Sequence, residues 1–248
     1  EEDIEVRFAA AEALAYLGES VAAPHLAEAA SSLRSARRAA LAALAVLDDA
    51  NGIDALQGLL TSPSAETRYG AFRALERLDP GMPLVRGERL RDACSLHVLD
   101  VDGPPLVHAT RSDRPEIVFF GTDHRIGRGL RAEAGRAIVV VVDGPTATVS
   151  RFVPGETDRQ AEVTPDAPAI VRAIVELGGG YPDAVQFLQQ ATSGRFLRSR
   201  LAFDAIPSEF DGRPAIHEEA SARGSDDDGE SEDSTAASGD ARRAGERS

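Results

Sequence analysis

The chain has no tryptophan, no lysine, one methionine and one cysteine in 248 residues. A lone Cys94 excludes an internal disulfide and a cysteine-built metal cluster, and reads as a small core residue. No apolar run approaches the roughly 18 residues that a membrane-spanning helix requires. The longest, AIVVVVD from Ala137, has the length of a strand. All 27 basic residues are arginine, a uniformity read as the codon bias of a GC-rich genome, so no single arginine is a strong functional signal. The net charge is −14; the segment from Glu218 onward holds ten acidic and four basic residues, a net −6 that leaves −8 for the rest. Neither part offers the basic face that nucleic-acid phosphates need.

What is present begins with repetition. EVRFAAAEALAYLG from Glu5, SARRAALAALAVLD from Ser35 and ETRYGAFRALERLD from Glu66 align when anchored on Leu14, Leu44 and Leu75. The period is about 30 residues, and Arg7, Arg37 and Arg68 fall in register. Alanine and leucine recur at helical spacing, and the first two motifs are followed by a second apolar stretch, VAAPHLAEAA and GIDALQGLL. Helix pairs follow. The small alanines allow close approach, while Leu14, Leu17, Leu44, Leu47, Leu75 and Leu78 are expected to fill the grooves between pairs. Each register arginine is expected to meet an acid in an adjacent turn. The pattern resembles HEAT repeats of the short bacterial type over residues 1–80. DPGMP at Asp79–Pro83 ends the third motif before a partner helix can form.

From Ser95 the period changes. SLHVLDV, PLVHAT, EIVFFG, AIVVVVD and TATVSRFV are β-branched or alternating and separated by turn residues, which predicts about five strands in a mostly antiparallel sheet. A helix is expected from Thr164 through AIVRAIVELGGG, a second from Pro182, and a third in RFLRSRLAFDAI. The expected fold is thus α+β and multidomain: a short α-solenoid over 1–80, a sheet with C-terminal helices over 84–213, and a disordered acidic tail over 214–248 that is too poor in large apolar side chains to offset its ordering entropy.

The search for chemistry finds little. His25, His97, His108, His124 and His217 lack partners at metal-ligand spacing, although His97 and His108 could face each other across a hairpin. Asp123 beside His124 could orient an imidazole, but no nucleophile stands out. HRIGRGLRAEAGR lacks a phosphate-loop pattern, and Ala-Glu-Ala reads there as a solvated turn. The three glycines of LGGGYPD suit a helix stop. No catalytic, cofactor or metal residue is assigned; the repeat positions Arg7, Arg37, Arg68, Leu14, Leu44 and Leu75 are structural.

EVRFAAAEALAYLG, ETRYGAFRAL, PPLVHATRSDRPEIVFFG, RFVPGETDRQ and GGGYPDAVQFLQQA, in this order, resemble the C-terminal extension of planctomycete-type flagellar P-ring proteins. The resemblance implies a natural start upstream of Glu1, with a signal peptide and the ring-forming portion there. It also implies a periplasmic location and a non-catalytic structural role in the flagellar basal body through contacts with ring subunits or rod. Any homo-oligomer contact would lie in that upstream region. The ring-forming portion is not in this sequence, so none of its residues carries over. The alternatives are a HEAT-repeat scaffold or lyase-like chaperone unrelated to motility, and an enzyme built on His97, His108, His124 and Asp123.

Overall fold

The computed structural model describes residues 2–203, which belong to one compact unit. The acidic tail expected over 214–248, with His217, lies outside the described residues.

Five helices open the chain: α1 (Glu2–Tyr16), α2 (Ala23–Ser32), α3 (Arg37–Leu47), α4 (Ala50–Leu59) and α5 (Ala65–Leu78). α1 with α2 and α3 with α4 form the two expected pairs, and α5 has no partner helix before the sheet. Local chemistry sets their starts. Asp49 caps α4 by accepting from the Gly52 amide at 2.7 Å, and Ser64 caps α5 by accepting from Thr67 at 3.2 Å. Leu44 and Leu75 are fully buried and Leu14 packs against the same core at its edge. Leu17 does not fill a groove: it is 77% exposed, because α1 ends at Tyr16 and Gly18, at φ +80°, turns the chain away.

Nine strands follow among the described residues, in two sheets rather than the expected five in one. The first sheet has the order β1 (Glu88–Leu90), β2 (Cys94–Leu99), β4 (Glu116–Phe120), β3 (Leu106–Ala109), β9 (Arg200–Phe203). It is mixed: β2 runs parallel to β4 and β3 parallel to β9, while the other neighbours are antiparallel. β9 corrects the expectation of a third C-terminal helix. The main-chain groups along the open side of β3 take up this segment as a strand, after Arg195 at φ +61° has broken with the preceding helix. The second sheet is an antiparallel meander of β5 (Leu130–Ala134), β6 (Ile138–Val142), β7 (Ala147–Arg151) and β8 (Arg159–Val163). β5 overturns the solvated turn expected at Ala-Glu-Ala: Leu130, Ala132 and Ala134 alternate inward and Arg131 and Glu133 outward.

α6 (Ala167–Glu176) and α7 (Tyr181–Ser193) match two of the predicted helices, α6 beginning after Asp166 rather than at Thr164. α7 shields the open edge of β5. Gln190 accepts from the Glu133 amide at 3.1 Å and donates to the Glu133 carbonyl at 2.9 Å, and Gln186 accepts from Gly135 at 3.1 Å. Two side chains thereby occupy main-chain groups that would otherwise template a further strand.

The first sheet is buried on both faces. Leu99, Leu106, Val118 and Phe120 point into a core shared with the helices, whereas Leu96, Val107, Ile117 and Phe119 point into a second core with the meander, α6 and α7. Each fully buried phenylalanine, such as Phe72, Phe119, Phe120 or Phe187, contributes about 2–3 kcal/mol over exposure. The first core runs unbroken across the Asp79–Pro83 turn, with Val85 beyond it in the same cluster.

Candidate functional site

Two places among the described residues are built for contact or chemistry. The first is the seam between α5 and the first sheet. α5 turns Tyr69, Phe72, Arg73 and Glu76 toward the sheet at i, i+3, i+4 and i+7, one face of a helix. His97 on β2 and His108 on β3 both pair with Val118 of β4, so they share one row of the sheet with a strand between them. The hairpin expected to bring them together does not exist, because the crossover from β3 inserts β4 against β2. Tyr69 stacks on His108 with ring centroids 3.7 Å apart, and Phe72 meets His97 edge-on at 4.8 Å.

Glu116 begins the central strand and is 2% exposed. Its carboxylate accepts from the Tyr69 hydroxyl at 3.1 Å and from Arg73 Nη1 at 3.4 Å, while Arg73 also pairs with Glu76. Burial raises the Glu116 pKa, against the lowering pull of Arg73 and His97. Burial likewise raises the Tyr69 hydroxyl and lowers the His108 imidazole to about 4. The orientation of the His97 ring is set by Nδ1, which donates to the Val85 carbonyl at 2.8 Å and leaves Nε2 on the far side of the ring. Nε2 looks toward Glu116 Oε1 at 3.9 Å. Gly87 lies flat on the same ring, where a Cβ would overlap it.

The second place is a groove of about 840 Å³ between α2 and α4, the second helices of the two pairs. Ala23, Ala27, Ala55 and Leu59 form its apolar floor, and Glu28, Ser31, Asn51 and Asp54 its rim. Both charges on that rim are negative. Gly58 also lines it, with open space where a side chain would stand. Ser20, at the groove's end, donates to Asp49 and ties the first pair to the second.

The register arginines diverge. Arg7 meets Glu28 at 3.3 Å and Asp3 at 3.8 Å. Arg37 pairs with Glu66 and donates to the Ala30 carbonyl at 3.0 Å. Arg68 meets no acid among the described residues. It donates instead to the carbonyls of Ser62 (2.6 Å), Pro104 (2.7 Å) and Thr61 (3.1 Å), and so fastens the third repeat to a loop of the sheet. Arg7 takes its acid from its own partner helix and Arg37 from the next repeat; α5 is followed by neither, and that loop stands in their place.

The other candidates scatter. His25 is exposed on α2. His124 is buried and held by Ser199 Oγ at 2.8 Å and the Gly121 carbonyl at 3.1 Å, with Asp123 beside it raising its pKa against the larger lowering by burial. Nδ1 thus ties the 121–127 loop to the segment before β9, while Nε2 closes the loop on itself. Cys94 is buried, its thiol raised to about 11 by burial, which removes the thiolate that reactive cysteines need. Sequence reasoning singled out neither Tyr69, Arg73, Glu76 nor Glu116. The available signal was an acid heading an otherwise wholly apolar strand, together with an aromatic and charged stripe at helical spacing.

Residues 6–32, covering most of α1 and α2, match the PBS lyase HEAT-like repeat. No curated protein and no solved structure matches the chain. The match describes a helix pair and carries no evidence of catalysis. The resemblance to the P-ring extension finds no counterpart in these comparisons.

Proposed function

We propose that this chain is a non-catalytic protein-binding module whose helical repeats hold a partner segment in the α2–α4 groove. HEAT-like repeats generally act through protein contacts, and no helix among the described residues is long and apolar enough to cross a membrane. The observation that carries the reading is the groove itself: an apolar floor of small side chains between successive repeats, with an acidic rim. That chemistry suits a segment carrying a small apolar residue for the floor and an arginine or lysine for Asp54, Glu28 being already paired with Arg7. On the sequence resemblance alone, the partner is a ring or rod subunit of a periplasmic flagellar basal body.

A photo-crosslinking residue at Ser31, with a control at Glu162 on the meander, tests this in the native host. The expected adduct forms at Ser31, is identified by mass spectrometry, and disappears when Gly58→Trp fills the groove. Equal labelling at both positions, or a Ser31 adduct that survives Gly58→Trp, overturns the groove as the binding face. A ring or rod subunit as the adduct supports the flagellar placement, and any other protein refutes it.

A further inference from the structure

We propose that Glu76, His97 and Glu116 form a site for a divalent cation of the zinc type, at which the Arg73 guanidinium is the competing occupant. The three residues come from α5, β2 and β4, and one donor atom from each lies within 4.8 Å of the other two. A tetrahedral zinc with bonds of about 2.0–2.1 Å places its ligand atoms about 3.4 Å apart, so His97 Nε2 and Glu116 Oε1, now at 3.9 Å, close by roughly half an ångström and the widest pair, within 4.8 Å, by up to about 1.4 Å through turning of the Glu76 side chain.

His97 is presented as a ligand rather than as a filler. Its Nδ1–H is spent on the Val85 carbonyl, the outer-shell contact that orients a metal-binding imidazole and turns the other lone pair toward the ion. The ring is 5% exposed, and among the described residues its Nε2 makes no hydrogen bond. Gly87 allows the main chain to press on one side of the ring and Phe72 packs its edge, so the imidazole has little freedom to turn elsewhere. Tyr69 holds the second oxygen of Glu116 in the same way.

Charge completes the argument. Two carboxylates and one imidazole converge with a single guanidinium in a seam shut off from water on the sheet side. A divalent ion with Arg73 turned outward cancels both carboxylates. Arg73 and Glu76 are 22% and 24% exposed, so the arginine can leave and the ion can enter along the α5 edge without unfolding the seam. The ion joins the third repeat to β2 and β4, and its three protein ligands leave one coordination position open.

The test uses the untagged full chain after chelator treatment, titrated with Zn²⁺ by calorimetry and with Co²⁺ by visible absorption. One equivalent is expected to bind with the intense absorption of a low-coordinate cobalt site, and Zn²⁺ is expected to raise the unfolding temperature. Glu76→Gln, whose side chain reaches water, should weaken binding at least about tenfold, and Arg73→Gln should tighten it by a similar factor. Circular dichroism checks that both variants fold. Binding that is absent from wild type and from Arg73→Gln, or that is unchanged in Glu76→Gln because the acidic tail holds the ion, overturns the site.

Discussion

Replacing each of the three in-register arginines by methionine should give costs graded by burial, with Arg68 far ahead. Arg68 is 2% exposed, and its guanidinium reaches three main-chain carbonyls. Hydrogen bonds to a charged group contribute about 1.5–3 kcal/mol each, and three on one side chain do not add fully. A buried ion pair can often be exchanged for hydrocarbon at little cost, because both charges leave together. Here the acceptors belong to the backbone and stay behind without partners, so Arg68→Met should cost about 3–4 kcal/mol. In a unit of this size that lowers the unfolding temperature by roughly 10 °C. Arg37, 13% exposed with one acid and one carbonyl, should cost about 1–2 kcal/mol. Arg7, 41% exposed, should cost under about 1 kcal/mol. Urea unfolding at pH 7, with the slope m unchanged among variants, measures all three. Equal costs for Arg7 and Arg68, or a loss below about 1 kcal/mol at Arg68, would refute the claim that the third repeat is fastened to the sheet through those carbonyls.

Three further outcomes follow from particular contacts. His108 is neutral in both states above its ordinary pKa of 6.5; below it the unfolded chain takes up a proton that the folded chain refuses until about pH 4. Stability attributable to His108 therefore falls as pH drops from 6.5 toward 4, by up to about 3 kcal/mol. Glu116, raised by burial, works in the opposite sense, its contribution being present at low pH and lost as pH rises through its folded pKa. The difference between wild type and His108→Phe across that range isolates the histidine, and parallel pH curves would contradict it. Gly58→Ala should raise stability by about 0.5–1 kcal/mol, since the added Cβ meets nothing and helix propensity improves; a loss in thermal unfolding would mean that the groove is tighter than described. Gln190→Ala should cost about 1 kcal/mol and speed exchange of the Glu133 amide, and unchanged exchange would show that α7 does not guard that edge.

The helices were the most legible part of the chain. The apolar spacing within each repeat motif and along α6 and α7 reflects residues a few positions apart, so it is written in local sequence, whereas the Asp49 and Ser64 caps were seen only in the structure. Strands were half legible for the same reason. AIVVVVD announces β6 by its composition, but Arg159–Val163 and Arg200–Phe203 are strands only because a neighbour's free main-chain groups lie alongside them. Pairing of that kind spans up to about a hundred residues, and no local pattern encodes it.

The sequence by itself determined the repeat, the change from helical to alternating period near Ser95 and the register of Arg7, Arg37 and Arg68. Only the tertiary structure decided that β4 separates His97 from His108 and that Arg68 finds carbonyls where Arg7 and Arg37 find acids. It also decided that Glu76, His97 and Glu116 converge. The physical reason is one of range: spacing and propensity act within a turn or a strand, whereas a ligand set drawn from α5, β2 and β4 exists only once the first sheet has closed against the last repeat.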